Sequence, residues 1–145
     1  MDESILEGFK EDFGLLIEAG FVAVKQLDEK SARHLFGAAQ LLSPESPAAL
    51  IGLGYISLNK LEINDATKIF QAVIEKDPDN DLAQAFLGIC FLLKKSTRKK
   101  GEKLIETVKG KSEDPTVQNL CEVSLAWADK DLKKMKAPFF SSEEE

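Results

Sequence analysis

One spacing governs what this chain can fold into: apolar, small and proline residues recur at intervals of 34. Gly20, Gly54 and Gly88 share one register, Ala32 and Ala66 a second, Phe36 and Phe70 a third, and Pro44 and Pro78 a fourth. A period of this length marks a supersecondary unit that cannot bury its apolar face alone and stacks on copies of itself. Within each row the apolar residues return every three or four positions, which is the helical period, so the expected class is all-α.

The fullest row, 47–80, offers Leu50, the pair Leu53-Gly54, Ala66 with Phe70 four residues later, and Pro78 as terminator. The row 13–46 repeats it with Leu16, Ala19-Gly20, Ala32 with Phe36, and Pro44. A third row from Asp81 keeps Leu87-Gly88 and Phe91, but KKSTRKKGEKLIETV stands where its A-x3-F half is expected, and the closing proline is delayed to Pro115. Its second helix therefore reads as degenerate. The pattern resembles the tetratricopeptide repeat, with Leu50 in the Trp slot and Ser57 departing from the Tyr slot. That resemblance implies a solenoid of three helix-turn-helix repeats.

After the third row, DPTVQNLCEVSLAWADKDL places Asp114 as N-cap and Pro115 at the first helical position. The apolar Val117, Leu120, Cys121, Leu125 and Trp127 follow, and the segment reads as a capping helix over the last apolar face. Upstream, Ile5, Phe9, Phe13, Leu16, Gly20 and Val24 recur at helical spacing. The expected organisation is a helical extension at 1–12, the repeat domain with its cap at 13–134, and an acidic tail at 135–145, expected to be disordered.

A glycine in one slot of every leading helix lets the paired helix lie close, with Ala32 and Ala66 as matching small surface. Gly52 has no such counterpart, since Glu18 and Phe86 hold its slot, and the repeat assigns it no role. Leu16, Ala19, Gly20 and Ala23, with Leu50, Leu53 and Gly54, form the expected pairing face. A second apolar set lies one residue on: Ile17, Phe21 and Val24, then Ile51, Tyr55 and Leu58, then Ala85, Ile89 and Leu92, with Leu82 and Leu93 extending it. One residue turns the helix by about 100°, so this stripe points elsewhere. In a tetratricopeptide superhelix that direction is the concave groove. Contiguous apolar surface is uncommon unless something covers it. The cover is either a partner or the protein's own N-terminal segment, capping helix or second subunit. Repeats that clamp a carboxylate use Lys and Asn on this face, whereas Ile17, Phe21, Ile51 and Tyr55 suit an amphipathic helix or an apolar strand.

Other classes find little support. The longest apolar run, Phe86 to Leu93, is far shorter than a membrane span, and the acidic MDESILEGFKEDF lacks the basic and apolar regions of a secretory signal. Cys90 and Cys121 stand singly in apolar helical patterns and read as reduced core thiols. These features point to the cytoplasm. A net charge of −6 argues against nucleic acid or anionic lipid as the main partner, and the one basic run, KKSTRKKGEK, lacks interleaved aromatics and reads as a solvated turn. GLG at 52–54 lacks the third glycine of a dinucleotide site, and KGKS at 109–112 has Ile105 where a P-loop needs glycine. His34 is the lone histidine and is expected at the surface. Glu62, Asp65, Asp77, Asp79 and Asp81 cluster at turns and helix starts, where carboxylates cap and complement the dipole. No enzyme, cofactor or metal reading emerges.

Taken with the apolar face and the helical cap, the repeats resemble the type III secretion chaperones that hold needle or translocator subunits before export. The resemblance spans about residues 13–130 and rests on Gly20/Gly54/Gly88, Ala32/Ala66, Phe36/Phe70 and Pro44/Pro78. It implies a chaperone whose groove holds an amphipathic helix of a small secretion subunit and blocks premature polymerisation, with a co-chaperone or a homodimer as a further partner. The alternative is a generic tetratricopeptide scaffold or assembly subunit making permanent protein contacts.

Overall fold

The structure, a computed structural model, describes residues 12–132. The expected extension before Asp12 and the acidic tail at 135–145 lie outside the described residues. Every regular element among them is helical, and seven α-helices pack in sequential antiparallel pairs, the arrangement of a tetratricopeptide-like array. The chain divides into two compact units, the first running to Ala83 and the second starting at Gln84. The first holds α1 (Phe13–Lys25), α2 (Glu29–Leu42), α3 (Ala48–Asn59), α4 (Ile63–Lys76) and the start of α5 (Asp81–Leu92). The second holds the rest of α5, a 3-10 turn (Lys95–Thr97), α6 (Arg98–Lys111), α7 (Pro115–Trp127) and a π-helical turn (Ala128–Leu132).

In the first unit α1 packs on α2, α3 on α4, and α2 also meets α3. The core is built from Ala23, Val24, Ala32, Phe36, Ala39, Ala49 and Ile56, with Phe13, Leu16, Phe21, Leu53 and Tyr55 packed against it. Phe36 explains both glycines of AALIGLGYI. A methyl group on Gly20 would stand 2.7 Å from Phe36 Cζ, and one on Gly52 would stand 2.5 Å from the same atom. The fully buried ring of α2 is thus seated between the leading helices of two successive repeats. Gly54 serves Phe70 in the way Gly20 serves Phe36, with a 2.6 Å approach to Phe70 Cε1. Gly52, which the repeat left without a role, is the joint between repeats. Ala19 departs from its expected place on the pairing face and is exposed.

Both turns within these pairs are built alike. The Leu27 N–H donates to the Val24 carbonyl and the Asp28 N–H to that of Ala23; 34 residues on, Leu61 donates to Leu58 and Glu62 to Ser57. This is the Schellman closure, which puts its C′ residue in the left-handed region. Leu27 at φ 62° and Leu61 at φ 60° hold that position, and both side chains are exposed. Asp28 then caps α2 by accepting from the Ser31 N–H at 3.1 Å.

In the second unit α6 is a full helix of 14 residues, as long as α2 and α4, which corrects the expectation of a degenerate element. Its core-facing residues are Gly101, Ile105 and Val108, all buried. They match Ala66, Phe70 and Val73 at an offset of 35 rather than 34, because the 3-10 turn inserts one residue. Gly88 and Gly101 bring α5 and α6 together: a methyl on Gly88 would meet Ile105 Cγ1 at 2.5 Å, and one on Gly101 would meet the Gly88 carbonyl at 2.6 Å. Asp114 caps α7 by accepting from Thr116 N–H at 2.9 Å, with Pro115 at the first position. Val117, Cys121, Ser124, Ala128 and Leu132 then form its buried face. Cys90 and Cys121 are buried and form no disulfide.

Candidate partner groove

The leading helices of the first unit place four of the stripe residues around one depression. Ile17 and Phe21 from α1, Ile51 from α3 and Leu82 from the first turn of α5 line a cavity of about 220 Å³, completed by Pro47, Ala48 and Asn80. Ile17, Phe21 and Leu82 are half-buried and form its walls, while Ile51, only 3 % exposed, is its floor. The local sequence dictates this spacing. Ile17 and Phe21 are one turn apart on α1, and Pro47 fixes the entry of α3 so that its first turn carries Ala48 and Ile51 to the same side.

Phe21 is held in place by two rings. It meets Phe36 edge-on at 5.2 Å with an interplanar angle of 77°, and Tyr55 at 5.2 Å with an angle of 50°. Tyr55 therefore belongs with the aromatic cluster behind the cavity and does not line it. The one polar lining residue, Asn80, is committed elsewhere: its Oδ1 accepts from Ala83 N–H at 2.9 Å and its Nδ2 donates to Asp77 at 3.2 Å. It acts as the cap of α5, and the cavity wall is otherwise hydrocarbon.

The remaining stripe residues do not gather at this cavity. Val24 and Leu58 are buried, lying toward the C-terminal ends of α1 and α3. In the second unit Ala85 and Leu92 are buried and Ile89 is half-buried. The regular alternation of the stripe cannot reveal this division, since burial depends on which neighbouring helix covers each turn. A larger open recess of about 500 Å³, lined by Phe13, Leu42, Ser43, Pro44 and Glu45, sits at the loop between the first two repeats and contains none of the stripe.

At the turn end of the repeats the surface is ionic. Lys60 Nζ lies 3.2 Å from Glu29 Oε1 and 3.1 Å from Glu62 Oε1, and Arg33 closes on the same Glu29 oxygen at 3.0 Å. The hydrogen bonds from Arg33 and then Lys60 hold the Glu29 carboxyl below its ordinary range, while Glu62 and then Glu29 hold Lys60 above its own. His34 is exposed. Among the described residues no three His, Cys, Asp or Glu side chains assemble as a metal site, and no helix is long and apolar enough to cross a membrane.

Together these features define a helical repeat-like fold whose leading helices present an apolar cavity. No family model, curated protein or solved structure gives a significant match to the chain.

Proposed function

We propose that the first unit binds an amphipathic helix of a small partner protein, seating one large apolar side chain in the cavity between Ile17, Phe21, Ile51 and Leu82. The observation that carries this reading is the composition of the wall. Apart from Asn80 the wall is hydrocarbon, and every regular element among the described residues is helical, so an extended strand would find no sheet edge for its backbone N–H and C=O groups. A helix satisfies its own backbone and brings only side chains, so of the two occupants the sequence admits, the helix fits. The resemblance to type III secretion chaperones makes that helix one from a needle or translocator subunit, held in the cytoplasm until export.

The test is affinity capture from the native host with wild-type protein and with Ile17→Asp, followed by mass spectrometry. Ile17 is half-buried at the wall and also packs against the core, so far-UV circular dichroism matching the wild type is required of the variant before capture is compared. Its charge should weaken partner retention more than tenfold, in line with the cost of burying an unpaired carboxylate. A secretion subunit captured equally by both proteins would move binding away from the cavity, and capture of no such subunit would remove the chaperone reading.

A second reading, stable self-assembly, is favoured by the outer face of α1. Leu15, Ala19 and Val22 follow one another there at helical spacing and are all exposed. Light scattering tests it: Leu15→Glu with Val22→Glu should halve the mass if α1 is a dimer face, and an unchanged mass would remove this reading.

A further inference from the structure

The helix α7 carries more apolar surface than it buries. Its packed side is Val117, Cys121, Ser124, Ala128 and Leu132. Leu120, Val123 and Trp127 follow a second line to one side of it, within about 60° of one another around the helix axis. Leu120 is half-buried, whereas Val123 is 58 % and Trp127 37 % exposed. Scattered apolar residues are ordinary on a surface, but the capping element of a stacked array turns a polar face outward. Two turns of α7 break that rule on one strip.

The point at which the chain leaves α7 is fixed. Leu132 is buried, and its carbonyl accepts from Arg98 Nη1 at 3.1 Å, while Arg98 Nε donates to the Leu92 carbonyl at 3.0 Å. Residues 133–145, KKMKAPFFSSEEE, follow from this anchor, and they belong with α7 to the second unit. Pro138 cannot continue a helix, the residue before a proline favours extended backbone, and Phe139 and Phe140 come directly after it. Phe139 is seven residues from Leu132, a reach of up to about 25 Å. Trp127 lies about 7 Å back along the axis from Leu132, Val123 about 13 Å and Leu120 about 18 Å. The whole strip is within range of the phenylalanine pair.

We propose that Phe139 and Phe140 of the same chain dock on the strip of Leu120, Val123 and Trp127 and complete the cap. The size of the strip selects this occupant. A stable contact with a separate protein or a second copy buries about 1,200–2,000 Å², far more than three side chains on two turns of one helix can offer. A tethered segment needs much less, because a short connection holds it at an effective concentration in the millimolar range, about 1 mM or above. Two aromatic rings, each burying about 150–250 Å² and able to meet an indole edge-on or offset, supply a contact of that scale. The disorder expected of the tail then begins after Phe140.

Trp127 is the one tryptophan of the chain, so its fluorescence reports on the strip directly. Acrylamide quenching and emission wavelength are measured on the full chain as wild type, as Phe139→Ser with Phe140→Ser, as Val123→Lys, and with all three changes, each at about 0.1 and about 50 µM. Val123→Lys places a good helix former at an exposed helical position, so it keeps the fold even if the tail variant does not. The tail variant should raise the quenching constant roughly twofold and shift the emission to the red, as an uncovered indole requires. Val123→Lys should do the same by expelling the rings, and the triple change should add nothing further, since both alterations break one contact. These results should hold at both concentrations. Unchanged quenching in the tail variant would overturn the proposal, and so would additive effects of the tail and Val123 changes. Wild-type quenching that rises on dilution would also overturn it, by making a second copy the cover.

Discussion

At the residue scale, the glycines separate into those that hold a seat and those that do not. Gly52→Ala should destabilise the protein by about 1–3 kcal/mol, because the added methyl group overlaps the fully buried Phe36 ring. Gly37 is exposed in the middle of α2 and has nothing within 4 Å of where a methyl group would stand. Gly37→Ala should therefore stabilise by about 0.5–1 kcal/mol through helix propensity alone. Urea denaturation of both variants checks the pair, and the sign of the difference is the decisive reading. Leu27 and Leu61 offer a complementary case. Each holds a left-handed conformation that costs a non-glycine residue about 1–2 kcal/mol, so Leu27→Gly should raise stability even though it removes a side chain. The greater freedom of glycine in the unfolded chain offsets about 0.4–1 kcal/mol of that gain. A melting temperature lowered by the change would mean that the exposed leucine makes a contact worth more than its strain.

At the scale of elements, the ion pairs joining the turn of the first repeat to that of the second give the protein an acid-sensitive edge. Asp28, through its hydrogen bonds from Ser31, and Glu29, through Arg33 and Lys60, are both held below the ordinary carboxylate range. Their contribution is complete above the unfolded-state values and is lost as pH falls through the lower folded-state values. Lys60 is shifted upward, so its contribution is lost only in strong alkali and does not vary near neutrality. Glu29→Gln should therefore flatten the decline of stability below about pH 4.5 and leave the neutral-to-alkaline limb unchanged, as followed by thermal melting across pH. High salt should shrink the difference between variant and wild type. These elements also show how far the sequence could be read. The first two pairs were legible because glycine, Ala-x3-Phe and proline fall in fixed slots. The α6 helix was hidden by one inserted residue, which shifts Gly101, Ile105 and Val108 out of the 34-residue register while preserving their mutual spacing. Of the apolar stripe, Ile17, Phe21, Ile51 and Leu82 converge on one cavity, whereas Val24 and Leu58, which carry the same alternation, lie away from it. Periodicity reports which way a side chain points, whereas exposure depends on what the next helix places there.

At the scale of the whole molecule, helices packed mainly on their sequence neighbours make stability a sum of local terms. Phe36→Ala should cost about 3–5 kcal/mol, since it empties a fully buried site touched from both α1 and α3. In hydrogen exchange its effect should appear first in residues 13–59, with the amides of α6 and α7 affected least. Uniform loss of protection along the chain would indicate one cooperative body. The seating of Phe36 between Gly20 and Gly52 also bears on how such an array can be rearranged. Only one repeat boundary carries a glycine in the Gly52 slot, and 34 residues later Phe86 stands there. The modules share a length and a pattern but not a joint. A gene that duplicated the first repeat, or exchanged the first with the second, would present the Phe36 ring to a side chain instead of a vacancy. The order of the repeats is therefore written into their interfaces, and recombination within this chain is permitted only where the recipient glycine travels with the ring that it admits.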